Sequence, residues 1–285
     1  MKFQITKVYK ILFFQLIFLL IFNFTNSLKS AEIIGIEIPC EVKECNPKWG
    51  PTITRYYKSG NDKPALIHFG GGPGAILTLD YLTITFLEDK LDLIIMAAPI
   101  AMKNPPTGET KNAYNKALSF RSKQVIDYYQ DLLNKPLWLS GHSNGGPRMI
   151  GAIMGKDPTY SNKLAGLIFS SPNVGYGKHR KNPRYYIRVN KIKYDLNLPI
   201  LVINHARDIC PDTTVDNMKW LHKKLSEKNL ANTDLILMED GFEGETDNCA
   251  GGHHKFASNK ESHASTLFDY IIKNTKQFFA PIVLK

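Results

Sequence analysis

From residue 53 onward, short apolar runs alternate with longer amphipathic stretches, and this alternation constrains the fold more than any other feature. Glu32–Ile38 and Ile53–Tyr57 read as early strands. Ala65–Phe69, Leu91–Ala98, Leu137–Ser140, Lys163–Ser170, Pro199–Asn204 and Thr233–Met238 read as further strands. Helical stretches lie between and after them, at Ala75–Asp89, Asn112–Asn134, Asn144–Gly155, Thr213–Lys228 and Glu261–Phe279. Leu91–Ala98 is almost continuously apolar, as expected of a strand covered on both sheet faces. Strands that alternate with helices predict an α/β protein whose mostly parallel, twisted sheet carries helices on both faces. Ligands of such sheets bind beyond the carboxyl ends of the strands, so the residues that follow each strand are the candidates for chemistry.

The first thirty residues are expected to lie outside this fold. Lys2, Lys7 and Lys10 precede a 14-residue apolar run, residues 11–24, and small polar residues follow. A basic end, a short apolar centre and small residues describe a secretory signal peptide over residues 1–30. The run is shorter than the ~20 residues a spanning helix needs, which disfavours a membrane anchor. Ser27, Ser30 and Ala31 are alternative cleavage points. Residues 31–285 then suffice for a single domain in a periplasmic or secreted protein. All four cysteines, Cys40, Cys45, Cys210 and Cys249, fall in that part, where thiols are usually oxidised. Four cysteines allow three pairings. Cys40 and Cys45 are close enough for a local loop, which would leave Cys210 with Cys249. The spacings do not match the common zinc-ligand patterns.

The strongest motif follows strand Leu137–Ser140. Gly141-His142-Ser143-Asn144-Gly145 is G-x-S-x-G between a strand and a helix. A sharp turn there would expose the Ser143 hydroxyl at a helix amino end, where developing negative charge is stabilised. In this setting the chain resembles the α/β hydrolases over about residues 50–279, and the resemblance implies an acyl-transferring serine hydrolase. Ser143 matches the nucleophile. Asp208, beyond strand Pro199–Asn204, matches the acid, with Asp212 as its neighbour in competition. His254, in the His254-Lys255-Phe256 segment that precedes the last helix, matches the base, and the adjacent His253 is the alternative. His263 is expected on the solvated surface, His142 in packing, and His205 at a strand end.

The same resemblance assigns an oxyanion hole. His68-Phe69-Gly70-Gly71-Gly72-Pro73-Gly74 is similar to the family's glycine-rich loop and puts the Gly72 N–H in the donor role, with the Asn144 N–H as the second donor. The histidine of this segment is displaced relative to the family pattern, which leaves Gly71 as the alternative. If Cys210 and Cys249 are bonded, they tie the acid loop to the base loop. The mechanism needs no cofactor and no metal.

The substrate is less legible. A carboxylic ester with a small or medium acyl chain is the default, and an amide is the alternative because Gly-Gly-Pro-Gly also resembles aminopeptidases of this fold. A noncatalytic binding protein on the same scaffold is the other class of reading. Only 28 residues separate strand Lys163–Ser170 from strand Pro199–Asn204, too few for a large lid domain. Within them, seven of the sixteen residues Lys178–Lys193 are Lys or Arg. In a chain of net charge +10 this is either a solvated surface or a basic rim suited to an anionic substrate or lipid surface. No nucleic-acid partner is expected.

Overall fold

The computed structural model describes residues 31–60, 62–71, 81–96, 111–153, 163–174, 189–241, 249, 252–256 and 259–278. The strands are β1 (Glu32–Ile38), β2 (Thr52–Lys58), β3 (Ala65–Phe69), β4 (Asp92–Met96), β5 (Leu137–His142), β6 (Leu164–Ser170), β7 (Ile200–His205) and β8 (Thr233–Met238). The helices are α1 (Tyr81–Leu87), α2 (Lys111–Leu133), α3 (Gly145–Ile153), α4 (Val215–Ser226) and α5 (Lys260–Phe278).

Among the described residues, eight strands form one open sheet in the order β1-β2-β4-β3-β5-β6-β7-β8. β1 with β2 and β2 with β4 are antiparallel; every pairing from β4 to β8 is parallel. The parallel part follows from composition. Strands such as Leu164–Ser170 and Ile200–His205 are buried along their whole length, so both faces need cover and helical crossovers supply it.

Alternation along β5 shows the two layers. Leu137 and Leu139 enter the main core cluster with Val125, Ile126 and Tyr129 of α2, Met149 and Ile150 of α3, and Leu221 of α4. Trp138 points to the other face. Its indole N–H donates to Thr275 Oγ1 of α5 at 2.9 Å, and its ring meets Tyr270 edge-on at 6.0 Å. Side chains of period two on a strand require this division.

The order reverses around β3, which pairs with β4 on one side and β5 on the other. In open α/β sheets ligands bind at such a switch, which here lies beyond the carboxyl ends of β3 and β5. The expected elements are present with ends shifted by a residue or two. Of the expected helix Ala75–Asp89 and strand Leu91–Ala98, residues 75–80 and 97–98 lie outside the described ones; within the described part the helix ends at Leu87 and the strand starts at Asp92. Among the described residues no helix is long and apolar enough to cross a membrane. Both disulfides form, Cys40 with Cys45 and Cys210 with Cys249, at Cα separations of 5.7 and 4.8 Å.

Candidate active site

β5 ends in Gly141 and His142, Ser143 and Asn144 form a tight turn, and α3 starts at Gly145. The turn is sharp enough to require glycine on both sides. A Cβ on Gly141 would come within 2.7 Å of the Gly145 backbone, and one on Gly145 would collide with the Phe69 carbonyl oxygen. Ser143 itself sits at φ 51°, a left-handed conformation that is costly for a side-chain-bearing residue. The surroundings hold it there. Its N–H donates to the Ser171 carbonyl at 3.1 Å, and its own carbonyl accepts from Asn173 N–H at 2.8 Å. Ser143 is thus presented, half-buried, at the amino end of α3.

The glycine-rich loop runs against this turn. An added Cβ on Gly71 would stand 3.1 Å from Ser143 Cβ, so the Gly71 backbone lies directly beside the serine. Arg148 of α3 anchors the loop, its Nη1 donating to the Gly70 carbonyl at 2.6 Å. Gly72, the expected donor, lies outside the described residues. Arg148 was not legible as a site residue, because a lone arginine in a helix carries no spacing signal.

Asp208 and His254 come from loops 46 residues apart and meet. His254 Nδ1 lies 3.2 Å from Asp208 Oδ2, and both side chains are buried. His254 occupies a single 3-10 turn, Gly252–Lys255. Asp208 Oδ1 accepts from Cys210 N–H at 2.9 Å, and Asp208 Oδ2 accepts from Thr213 Oγ1 at 2.7 Å. Among the described residues, His254 Nε2 is buried without a hydrogen-bond partner, Ser143 Oγ included. The ring of His142, next to Ser143 in the chain, packs 5.0 Å from the His254 ring. His253 turns elsewhere and stacks at 4.0 Å on His205, the last residue of β7. Asp212 is engaged by Asn173 Nδ2 at 3.4 Å, and Asn173 also reaches Asn144 Oδ1 at 3.1 Å.

His263 is not the surface residue that its position near the last helix suggested. It is 5% exposed, stacks at 3.9 Å on Phe256, and shares a hydrogen bond with Ser170 Oγ at 3.1 Å. The helical face that carries it also carries Ala264 and Leu267, and this face turns into the sheet. Ser170 in turn lies 3.4 Å from His142 Nδ1, and His68 Nδ1 lies 3.2 Å from Ser140 Oγ. Burial pushes the His68 and His263 imidazoles down to about 3, and it pushes His142 well below its usual value together with the nearby His254, His68 and His263 rings. These three rings are therefore neutral at pH 7.

One oxygen, nitrogen or sulfur each from Asp208, Cys210 and His254 lie within 4.8 Å of one another. The Cys210 sulfur is spent in a disulfide, so the thiolate that would make such a trio a good soft-metal site is missing.

The disulfide joins the two loops that carry the pair. It closes a separation of 39 residues, which in the chain-entropy model stabilises the fold by about 4 kcal/mol. Replacing Cys210 and Cys249 together by serine is expected to lower the urea midpoint by an amount that reflects most of this figure. An unchanged midpoint would refute that role.

The fold is that of the α/β hydrolases. The chain aligns with an esterase of Pyrococcus furiosus over 85% of its own length and 93% of the esterase's, with 12% identity and a TM-score of 0.55. It aligns with an esterase of Pyrobaculum calidifontis over 85% of both chains, with 17% identity and a TM-score of 0.57. A sugar hydrolase of Lactococcus lactis is covered over 99% of its length by 86% of this chain, with 14% identity and a TM-score of 0.59. In sequence, the chain matches no protein-family model and no curated protein.

Proposed function

We propose that the chain is an exported serine hydrolase that cleaves carboxylic esters of small or medium acyl chain through an acyl-enzyme. Ser143 Oγ attacks the carbonyl carbon, His254 Nε2 takes its proton, and Asp208 orients the imidazole and stabilises its charged form. The N–H groups of Asn144 and of Gly71 or Gly72 receive the oxyanion. Protonated His254 returns its proton to the leaving alkoxide, and water then releases the acid. No cofactor takes part in this scheme.

The observation that carries the reading is the buried Asp208–His254 pair. Its bare Nε2 lies in a ring packed on the residue that precedes Ser143, at the carboxyl end of β5. Esterases stand among the solved structures with this fold, in keeping with an ester as substrate. The signal-like residues 1–30 and two disulfides in the remainder support export to the periplasm or beyond. The composition of the basic stretch Lys178–Lys193, of which residues 178–188 lie outside the described ones, suits an anionic substrate or lipid surface.

The test uses the oxidised chain without residues 1–30. A fluorophosphonate probe is expected to label it and to leave Ser143→Ala unlabelled, while nitrophenyl esters of short and medium acids are turned over and aminoacyl amides are not. Turnover of amides alone would replace the ester by a peptide amino terminus. Absence of both label and turnover would leave a binding protein on a hydrolase scaffold.

A further inference from the structure

Thr213 stands between the acid and the base, and counting protons assigns it a part. A carboxylate only accepts hydrogen bonds. Asp208 Oδ1 accepts from Cys210 N–H, and Oδ2 accepts from the Thr213 hydroxyl at 2.7 Å. That bond uses the only proton the hydroxyl has. Thr213 Oγ1 also lies 3.1 Å from His254 Nδ1, as near as Asp208 Oδ2 at 3.2 Å. At both contacts the oxygen is left to accept, so Nδ1 carries the proton and shares it between the two. The neutral ring is thereby fixed as the Nδ1–H tautomer, and its other nitrogen is bare.

The hydroxyl is held as firmly as a catalytic group. Thr213 is fully buried. Its N–H donates to the Cys210 carbonyl at 3.0 Å, and its carbonyl accepts from Asn204 Nδ2, at the end of β7, at 2.6 Å. A β-branched side chain adds a stiff χ1. The start of α4 reflects the same commitment. Thr214 caps the helix, accepting from Asn217 N–H, and the helix begins at Val215 rather than at Thr213.

We propose that Thr213 is a positioning residue for the reaction assigned to Ser143: its hydroxyl, oriented by Asp208, holds the His254 ring in the tautomer and rotation that a general base needs. The proposal rests on the serine-hydrolase reading. A carboxylate alone would leave the ring one acceptor and more rotational freedom, and a base off its line of transfer lowers the rate of the chemical step rather than substrate binding.

Three variants test it. Thr213→Val keeps the shape and removes the hydroxyl, Thr213→Ala removes the hydroxyl without placing a methyl against Asp208, and Thr213→Ser keeps the hydroxyl. On the ester the native chain hydrolyses best, kcat is expected to fall about 10- to 100-fold in the valine and alanine variants with KM nearly unchanged, the range for losing a hydrogen bond to a charged group. Thr213→Ser is expected to recover most of kcat. Ring nitrogen correlations of His254 in the 15N-histidine-labelled chain provide a readout independent of turnover: the native ring should show its proton on Nδ1, and the valine or alanine variant a mixture of tautomers. Retention of native kcat in both hydroxyl-free variants, a serine variant as slow as valine, or a native ring protonated on Nε2 would each overturn the role. If Ser143→Ala remains as active as the native chain, the serine-hydrolase reading fails by itself, and the nitrogen spectra still decide what Thr213 does to His254.

Discussion

Acidification from pH 7 to pH 5 is expected to cost the folded chain about 4 kcal/mol through His68 and His263 alone. Both imidazoles are buried with a folded value of about 3, against an ordinary value of 6.5. The folded state holds them neutral, whereas the unfolded chain protonates them as pH drops through 6.5. Below that point the unfolded state binds more protons, so stability is lost as pH falls from about 6.5 towards 3 and levels off below. Each imidazole contributes a slope of about 1.4 kcal/mol per pH unit within this window. His142, also pushed down, adds in the same direction. Urea unfolding at closely spaced pH values reads the slope directly. In His263→Phe, which keeps a ring against Phe256, the slope should drop by the share of one imidazole whatever happens to stability at pH 7. A flat profile between pH 6.5 and 5, or a slope unaltered in that variant, would contradict the account.

Arg121→Met is expected to lower the unfolding free energy by about 3–5 kcal/mol. Arg121, in the middle of α2, is fully buried. Its guanidinium donates to the carbonyls of Cys45, Asn46 and Gly50 at 2.6, 3.0 and 2.7 Å and to Thr52 Oγ1 at 3.1 Å. The three carbonyls belong to the segment between β1 and β2 that Cys40–Cys45 also ties, and Thr52 opens β2, so a single side chain joins this segment to the strand that follows. Burial lowers its proton affinity, yet the fork of donors matches the carbonyls in a way a lysine ammonium cannot. Methionine fills the space and takes the guanidinium from the Cys45 and Gly50 carbonyls, while the Asn46 carbonyl keeps the Trp49 N–H. Denaturant unfolding measures the loss, and a change below about 1 kcal/mol would refute the assignment. Combining it with Cys40→Ser and Cys45→Ser should give less than the added effects, since both devices order the same segment.

The site was legible to the extent that its chemistry is local in the chain. G-x-S-x-G between strand and helix needs only neighbouring residues, and the backbone collisions at Gly141 and Gly145 explain why the pattern is readable at all. The choice between His253 and His254 was not readable. Adjacent residues in a 3-10 turn project in different directions, and only the turn's placement decides that one meets Asp208 while the other stacks on His205. Thr213 and Arg148 were missed for a similar reason. Each touches a site residue several positions away or on another element, and threonine and arginine are common in ordinary helices.

His263 shows the limit most plainly. A histidine near a helix start reads as solvated, and the period of α5 alone does not say how far that helix sinks into its layer. Apolar runs, their period and their separators determined by themselves that a mostly parallel sheet would form and which strand ends would carry polar residues, because those preferences act over a few neighbours. Which of those ends converge, which imidazoles lose their water, and which hydroxyl stands between Asp208 and His254 were decided only in the tertiary structure. Such contacts depend on strand order and on burial, and both are set by packing between residues far apart in the chain.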